Sequence, residues 1–290
     1  MRVSKVFKVL VLLKPGDEQP ALERAADFAR FVPELEVTAM LVLNKVSEAE
    51  RANAENNAHR ELDELHSKHS SIAKFTPRVV VGDDVAEAFI SESRAGHDLA
   101  IIPASKRHTI KDLFVSPIDS SILRGIGIPV LIIKDAKAPQ KLGQAIVIAI
   151  DLRAEEHDQR LDDVLVENAK RFAEHFNGVI HIANCITPQH RGYMGGETMA
   201  DRHGPTPSSI HQNLVTAFAR RHGVDPDNCY VLKGRVDEEI PRLCTKLQAR
   251  MVCMGYDQPE GGLFGDNSSS SELVLEQIHG DLFVINRTLI

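Results

Sequence analysis

The sequence predicts an α/β protein built from two tandem, doubly wound domains with parallel sheets. Short Val/Ile/Leu runs alternate with amphipathic stretches along the chain, which is the pattern of β-strands joined by crossover helices. The same strand–helix–strand pattern occurs twice. The chain has 290 residues, of which 43% are hydrophobic. This length suits two domains, because one domain usually takes about 100–200 residues.

The first copy contains five predicted strands, and their apolar residues stand at consecutive positions. Such runs are typical of parallel strands that are buried on both faces. The strands are predicted at Val9–Leu13, Met40–Asn44, Arg78–Gly82, Asp98–Ile102 and Pro129–Ile133. Between the first two, Pro20–Phe31 has the periodicity of an amphipathic helix. The charged, Ala-rich stretch Ser47–His69 predicts a long surface helix that flanks the sheet.

The second copy repeats these elements. Gly82 and Gly234, which follow the third strands, lie 152 residues apart, and the last strands keep this offset. The first strands match at an offset of 137, with Val9–Leu13 against Ile146–Ile150. The second strands match at 140, with Met40–Asn44 against Ile180–Asn184. The second copy has therefore gained residues, mostly between its second and third strands, in a Gly- and Pro-rich loop. We expect domains at residues 1–134 and 145–290, with a linker at 135–144.

Composition excludes several classes of partner. Asp and Glu total 41 against 34 Lys and Arg, which gives a net charge of −7, and a nucleic acid polymer would need a basic surface. The apolar runs are far shorter than the ~20 residues that cross a bilayer. Lys14-Pro15-Gly16 follows the first apolar run, where a signal peptide would have small residues. We expect a cytoplasmic protein with no membrane partner, whose four cysteines are reduced because they lack paired spacing.

The candidate ligand site lies where the strands of the second copy end. In an open parallel sheet, ligands bind outside the carboxyl ends of the strands. Asp151, the segment Ile182–Asn184 and the loop Gly255–Ser271 should meet there. A Gly-rich loop before a helix N-terminus suits a phosphate, and Ser268 and Ser269 could donate hydroxyls. The same composition also suits a helix cap in an ordinary loop.

The first copy lacks these features. Lys14 stands where the second copy has Asp151, and Pro103, which has no N–H, stands where it has Gly255. Lys106, Arg107 and Lys111 follow; they could hold an anion, but such residues are more commonly solvated surface cations. The sequence therefore predicts that the second copy alone binds a nucleotide.

The two copies resemble the universal stress protein family, and their tandem layout is similar to that of its UspE-type members. The resemblance covers Val6–Lys134 and Ala145–Arg287. It implies, in each domain, a five-stranded parallel sheet of order 3-2-1-4-5 flanked by helices. Many members of this family bind ATP through an Asp at the end of strand 1 and a Gly-x2-Gly-x9-Gly-Ser/Thr loop.

Only part of this family motif is present in the second copy. Asp151 matches the strand 1 carboxylate, Ile182 the apolar residue beside adenine, and Gly255 the first glycine. Gln258 and Ser268 stand at the second and third glycine positions, with Ser269 at the hydroxyl position. The resemblance implies ATP or another adenine nucleotide as the small-molecule ligand in this domain, and no metal. In the first copy, the matching positions are Lys14, Pro103, Lys106, Ser116 and Pro117, so no motif residue is retained.

Three functions follow from these observations. The first is a non-catalytic stress-response protein that binds a nucleotide in its second domain. The second, which Pro103 and Gln258 favour, is an interaction scaffold or a binder of a non-nucleotide ligand. The third is a weak ATPase, an autophosphorylating protein or a metal-dependent enzyme.

The sequence offers little for the enzyme hypothesis. The insertion at 187–211 carries His190, His203 and His211 with Glu197 and Asp201, but their spacing matches no metal-ligand motif. Neither a Walker A motif nor a Gly-x-Ser-x-Gly elbow is present. We expect the two copies to pack as an intramolecular pseudo-dimer, and association of two chains into a homodimer is left open.

Overall fold

The computed structural model describes residues 6–14, 16, 18–32, 34–104, 117–135, 137, 142–152, 159–186, 207–256 and 270–286. In these residues the chain forms ten β-strands and eight α-helices. The strands are β1 (Phe7–Leu12), β2 (Leu35–Leu43), β3 (Lys74–Val81), β4 (Leu99–Pro103), β5 (Val130–Ile133), β6 (Ala145–Ile150), β7 (Val179–Ile186), β8 (Cys229–Lys233), β9 (Met251–Tyr256) and β10 (Asp281–Asn286). The helices are α1 (Pro20–Ala29), α2 (Arg51–Lys68), α3 (Val85–Ser93), α4 (Pro117–Gly125), α5 (Gln159–Phe176), α6 (Pro207–Arg221), α7 (Val236–Leu247) and α8 (Ser270–Gln277).

The strands form one sheet in the order β3-β2-β1-β4-β5-β10-β9-β6-β7-β8. Within each half, all neighbouring strands are parallel, and their order is 3-2-1-4-5 when counted from the first strand of that half. The α/β class and the tandem arrangement predicted from the sequence are confirmed.

The halves are not two separate sheets as predicted, because β5 and β10 pair antiparallel across the middle. Leu282 lies opposite Ile132, and Val284 lies opposite Val130. Both strands are buried throughout, so unpaired backbone groups on their edges would be shielded from water at a large free-energy cost. Pairing β5 with β10 satisfies these groups. Hydropathy alone carries no information about which edge pairs with which.

The helices cover both faces of the sheet in sets of four. The core on one face contains buried residues from α1, α2, α5 and α6, and the core on the other contains those from α3, α4, α7 and α8. Each core runs through both halves. Among the described helices, none combines the length and apolar character that a bilayer-spanning segment needs.

Strand pairing fixes the correspondence between the halves. Val9 pairs with Leu99, and Ile146 pairs with Met251, which reproduces the predicted offsets of 137 and 152. Val9 also pairs with Val37, and Ile146 with Ile180, so the second strands match at 143 rather than the predicted 140. The error arose because strands that are apolar on both faces lack the alternation that would reveal their register.

Contacts between the halves include a reciprocal pair at the ends of β5 and β10. Lys134 Nζ donates to the carbonyl oxygens of Leu275 and Ile278, both at 2.7 Å, at the end of α8. Asn286, which lies 152 residues after Lys134, donates from Nδ2 to Leu123 O at 3.0 Å in α4. Each half therefore binds carbonyl groups near the end of a helix in the other half, as in an isologous dimer interface.

Candidate functional site

The carboxyl ends of β6, β7 and β9 form one edge of the second half, here called the second-half edge. The three strands are neighbours and parallel, so their ends lie side by side. Asp151 directly follows β6 and is half-buried. Asn184 lies opposite Ile150, and Gly255 is the penultimate residue of β9. The edge therefore has a carboxylate at its centre and buried strands on both sides, as at other α/β ligand sites.

The thiol of Cys185, at the end of β7, interacts electrostatically with two acidic side chains. Burial, together with the negative charges of Glu239 and Asp151, raises the pKa of the Cys185 thiol to about 12. Since the thiolate is the reactive form of cysteine, Cys185 stays protonated at neutral pH and does not act as a nucleophile. The two acidic side chains therefore interact electrostatically with the same thiol.

Asn184 is the polar residue within the buried end of β7, and it connects three segments. Its side chain is 1% exposed. Its Nδ2 donates to Ile150 O at 3.1 Å, and its Oδ1 lies 2.8 Å from His211 Nδ1 on α6. A buried amide without partners would be strongly destabilising, and here both of its polar atoms are paired.

Ile182, the predicted neighbour of adenine, lies below the second-half edge. It is fully buried, and it pairs with Ile148 and Cys229 rather than with the last residue of β6. Its side chain belongs to the core that contains residues from α5 and α6. Ile182 therefore contributes to the hydrophobic floor beneath the edge.

Gly255 lies inside β9, whereas the sequence predicted a loop from this residue onward. A Cβ atom at this position would come within 2.7 Å of Leu161 Cδ2 on α5. The absence of a side chain therefore lets α5 pack closely on β9. Gln258, Ser268 and Ser269, the remaining predicted ligand residues, lie outside the described residues.

The structure describes one of the three histidines of the insertion at 187–211. His211 lies on α6 and bonds to Asn184, whereas His190 and His203 lie outside the described residues, as do Glu197 and Asp201. Within the described part of the chain, no group of three or more His, Cys, Asp or Glu side chains could hold a metal ion.

At the matching edge of the first half, Lys14 and Gln19 donate hydrogen bonds to carbonyl groups of the chain. Lys14 Nζ donates to Ala104 O at 2.5 Å, which connects the ends of β1 and β4. Gln19 Nε2 donates to Lys14 O at 2.6 Å and to Gly16 O at 2.8 Å. An ammonium group therefore stands where the second half has the carboxylate of Asp151. Among the described residues of this edge, no carboxylate stands at the position that matches Asp151.

Both halves of the chain match the same protein family. The model of the universal stress protein family matches residues 6–134 and 144–277, which is most of the chain. The chain belongs to the universal stress protein family. Universal stress protein E of Escherichia coli K12 is 27% identical over 204 residues, which cover 69% of this chain and 64% of that protein. A homologue of universal stress protein E from Haemophilus influenzae is 24% identical, over 87% of this chain and 88% of its own.

Solved structures support the same fold. A protein of unknown function from Pseudomonas aeruginosa PAO1 superposes with a TM-score of 0.74 at 20% identity, covering 97% of this chain and 92% of its own. A universal stress protein from Archaeoglobus fulgidus superposes with a TM-score of 0.71 at 17% identity, covering 97% and 98%. At these identities the likeness concerns the fold alone. The predicted resemblance to the tandem, UspE-type members of the family is confirmed.

Two residues of the second-half edge, Asn184 and His211, have no assigned role in the sequence prediction, although Asn184 belongs to the segment Ile182–Asn184 that is expected at this edge. Asn184 interrupts the otherwise apolar end of β7, and a polar residue in a buried strand needs a partner. That signal was present in the sequence. The sequence pattern counts His211 with the loop of the insertion at 187–211, and its bond to Asn184 joins residues that lie 27 positions apart in the chain.

Proposed function

We propose that this protein is a cytoplasmic, non-catalytic stress-response protein that binds an adenine nucleotide at the second-half edge. In this proposal Asp151 accepts hydrogen bonds from ribose hydroxyls, and Ile182 contributes to the floor of the site. The backbone after Gly255, together with Gln258, Ser268 and Ser269, contacts the phosphates. Residues 1–134 act as a partner domain without a nucleotide site of its own.

The position of Asp151 supports this proposal most directly. It follows the central strand of the second half, between the ends of β7 and β9. An ionised carboxylate is an acceptor only, so it matches the two donor hydroxyls of a ribose. The contrast with Lys14 at the matching position supports one nucleotide per chain rather than two.

Thermal unfolding in the presence of ATP tests the proposal. A ligand at 100 times its Kd adds about 2.7 kcal/mol to the free energy of unfolding, so millimolar ATP should raise the melting temperature measurably. Asp151→Ala should weaken binding by about 10- to 100-fold, because hydrogen bonds to a charged acceptor are lost. The matched control is Asp63→Ala, which removes an exposed carboxylate on α2.

Two results would contradict the proposal. The first is an unchanged melting temperature in millimolar ATP. The second is equal binding by the Asp151→Ala and Asp63→Ala proteins. Release of phosphate from ATP at a steady rate would contradict its non-catalytic part.

A second candidate function is an interaction scaffold, or a binder of a non-nucleotide ligand. The bond from Lys14 to Ala104 favours it for the first half, because there the chain has replaced a ligand-binding group with an internal contact. A protein that ignores ATP, yet retains a different small molecule after purification, would support this function instead.

A further inference from the structure

The second-half edge contains a chain of hydrogen bonds that runs from α6 to the residue before Asp151. His211 on α6 bonds to Asn184 at the end of β7, and Asn184 bonds to Ile150 O at the end of β6. The carbonyl of Ile150 belongs to the peptide unit that joins Ile150 to Asp151. Because a peptide unit is planar, a hydrogen bond to this oxygen restrains the orientation of the backbone that leads into Asp151.

The direction of each bond follows from the chemistry of the groups. A backbone carbonyl only accepts, so the Asn184 atom that faces Ile150 O is the amide nitrogen. Asn184 Oδ1 then faces His211, and since this oxygen also only accepts, His211 Nδ1 carries the proton. Both the neutral Nδ1–H form and the protonated imidazole can donate this bond. It therefore persists whether or not the ring is charged.

The first half lacks this chain of hydrogen bonds, which gives an internal comparison. Strand pairing matches Leu41 to Asn184, Leu13 to Ile150 and Lys14 to Asp151. Leu13 and Leu41 are both buried in the apolar core. The half that has an ammonium in place of the carboxylate thus packs Leu41 where the other half has the hydrogen-bonded amide of Asn184. Apolar packing is therefore sufficient to end the strands of the first half.

We propose that His211 is a positioning residue that acts through Asn184 to orient Asp151 toward the nucleotide. The inference rests on the proposed function and goes one step further. It assigns a role to α6, the helix that follows the inserted segment, in ligand binding at the edge. His211 does not contact the ligand in this proposal.

Four variants test the proposal. His211→Ala removes the donor, and His211→Asn restores one, since the Asn amide nitrogen can occupy the place of Nδ1. Asn184→Leu reproduces the apolar arrangement of the first half. His222→Ala is the matched control, because His222 follows the same helix and bonds to Asp163 on α5 rather than to a strand of the second-half edge.

The first measurement is made without ligand, on the amide nitrogen resonance of Asp151 in a two-dimensional NMR spectrum. This nitrogen belongs to the peptide unit whose oxygen Asn184 binds. We expect its resonance to move in His211→Ala and Asn184→Leu and to return toward the wild-type position in His211→Asn. An unmoved resonance in His211→Ala would overturn the proposal, whatever the protein binds.

The second measurement is ATP affinity by calorimetry, in the wild type and in an Asp151→Asn background. We expect His211→Ala to weaken binding by about three- to tenfold, the range that one hydrogen bond supplies. We expect His211→Asn to recover most of the loss and His222→Ala to change little. If His211 acts through Asp151, His211→Ala has no further effect in the Asp151→Asn protein.

The outcomes distinguish this inference from the proposed function. An equal loss in both backgrounds would overturn the positioning role, while ATP binding by the wild type would leave the function intact. A wild type that does not bind ATP would overturn the proposed function. The Asp151 resonance would then show by itself whether His211 acts through Asn184 on the backbone of Asp151. A merely structural role predicts equal effects of His211→Ala and His211→Asn on the resonance and on affinity.

Discussion

Lys134 provides the sharpest test of how the two halves are held together. Its ammonium group donates to three carbonyl oxygens at the end of α8, with distances of 2.7 Å to Leu275 and Ile278 and 3.2 Å to Glu276. A helix leaves its last carbonyls without intrahelical partners, and its C-terminus attracts a positive charge. We therefore expect Lys134→Met, which keeps the aliphatic stem, to destabilise the protein.

The magnitude follows from these contacts. A hydrogen bond from a charged donor contributes about 1.5–3 kcal/mol net, and ordering a lysine side chain costs up to about 2 kcal/mol. The two short bonds and the longer bond together stabilise the folded state, and the cost of ordering the side chain is subtracted from their sum. The expected loss in the free energy of unfolding is about 3 kcal/mol. With a urea m-value of about 3 kcal/mol/M, the unfolding midpoint moves down by about 1 M.

Equilibrium unfolding in urea, followed by circular dichroism, measures this change. Lys137→Met is the matched control, because Lys137 is an exposed lysine three residues further along the chain. Its variant should stay within about 0.5 kcal/mol of the wild type, as most surface substitutions do. Equal midpoints for the two variants would refute the reasoning that the Lys134 contacts stabilise the interface.

Two further predictions concern buried groups. Gly255→Ala should cost about 1 kcal/mol, since its Cβ would lie 2.7 Å from Leu161 Cδ2 and the end of that buried side chain would have to move. Chemical denaturation should show a smaller cost in a Leu161→Ala background, and a neutral Gly255→Ala would contradict the close packing. Burial raises the pKa of Asp281 to about 6 from 3.8, although Arg24, whose Nε lies 2.8 Å from Asp281 Oδ2, pulls it down. The folded state therefore binds more protons than the unfolded state between these values. The stability of the wild type relative to Asp281→Asn should then fall by about 2 kcal/mol as the pH rises from 4 to 7. A relative stability that rises with pH would instead mean that the ion pair with Arg24 dominates.

Much of the architecture could be predicted because local sequence patterns indicate it. The duplicated strand–helix–strand units and their offset of 152 residues follow from hydropathy, and the structure reproduces them in the pairs Val9–Leu99 and Ile146–Met251. The joining of β5 to β10 could not be predicted in this way. This pairing depends on which edge strands of the two folded halves come together, and no local sequence pattern indicates that.

The candidate site was predictable to a smaller extent. Asp151 was found because a polar residue directly after an apolar strand marks the edge of a parallel sheet. The sequence pattern matches the second strands of the two halves three residues out of register. A run such as Val179–Ile186 has no alternation of polar and apolar residues that would fix the register. The bond between Asn184 and His211 depends on tertiary structure, since it joins side chains 27 residues apart.

Native mass spectrometry of the purified protein with added ATP tests the central claim most directly, because it counts ligands per chain. The account predicts one adenine nucleotide bound per chain, with an occupancy that falls strongly in Asp151→Ala and is retained in Asp63→Ala. Two nucleotides per chain, or none, would contradict it, as would an occupancy that is the same in the Asp151→Ala protein as in the wild type.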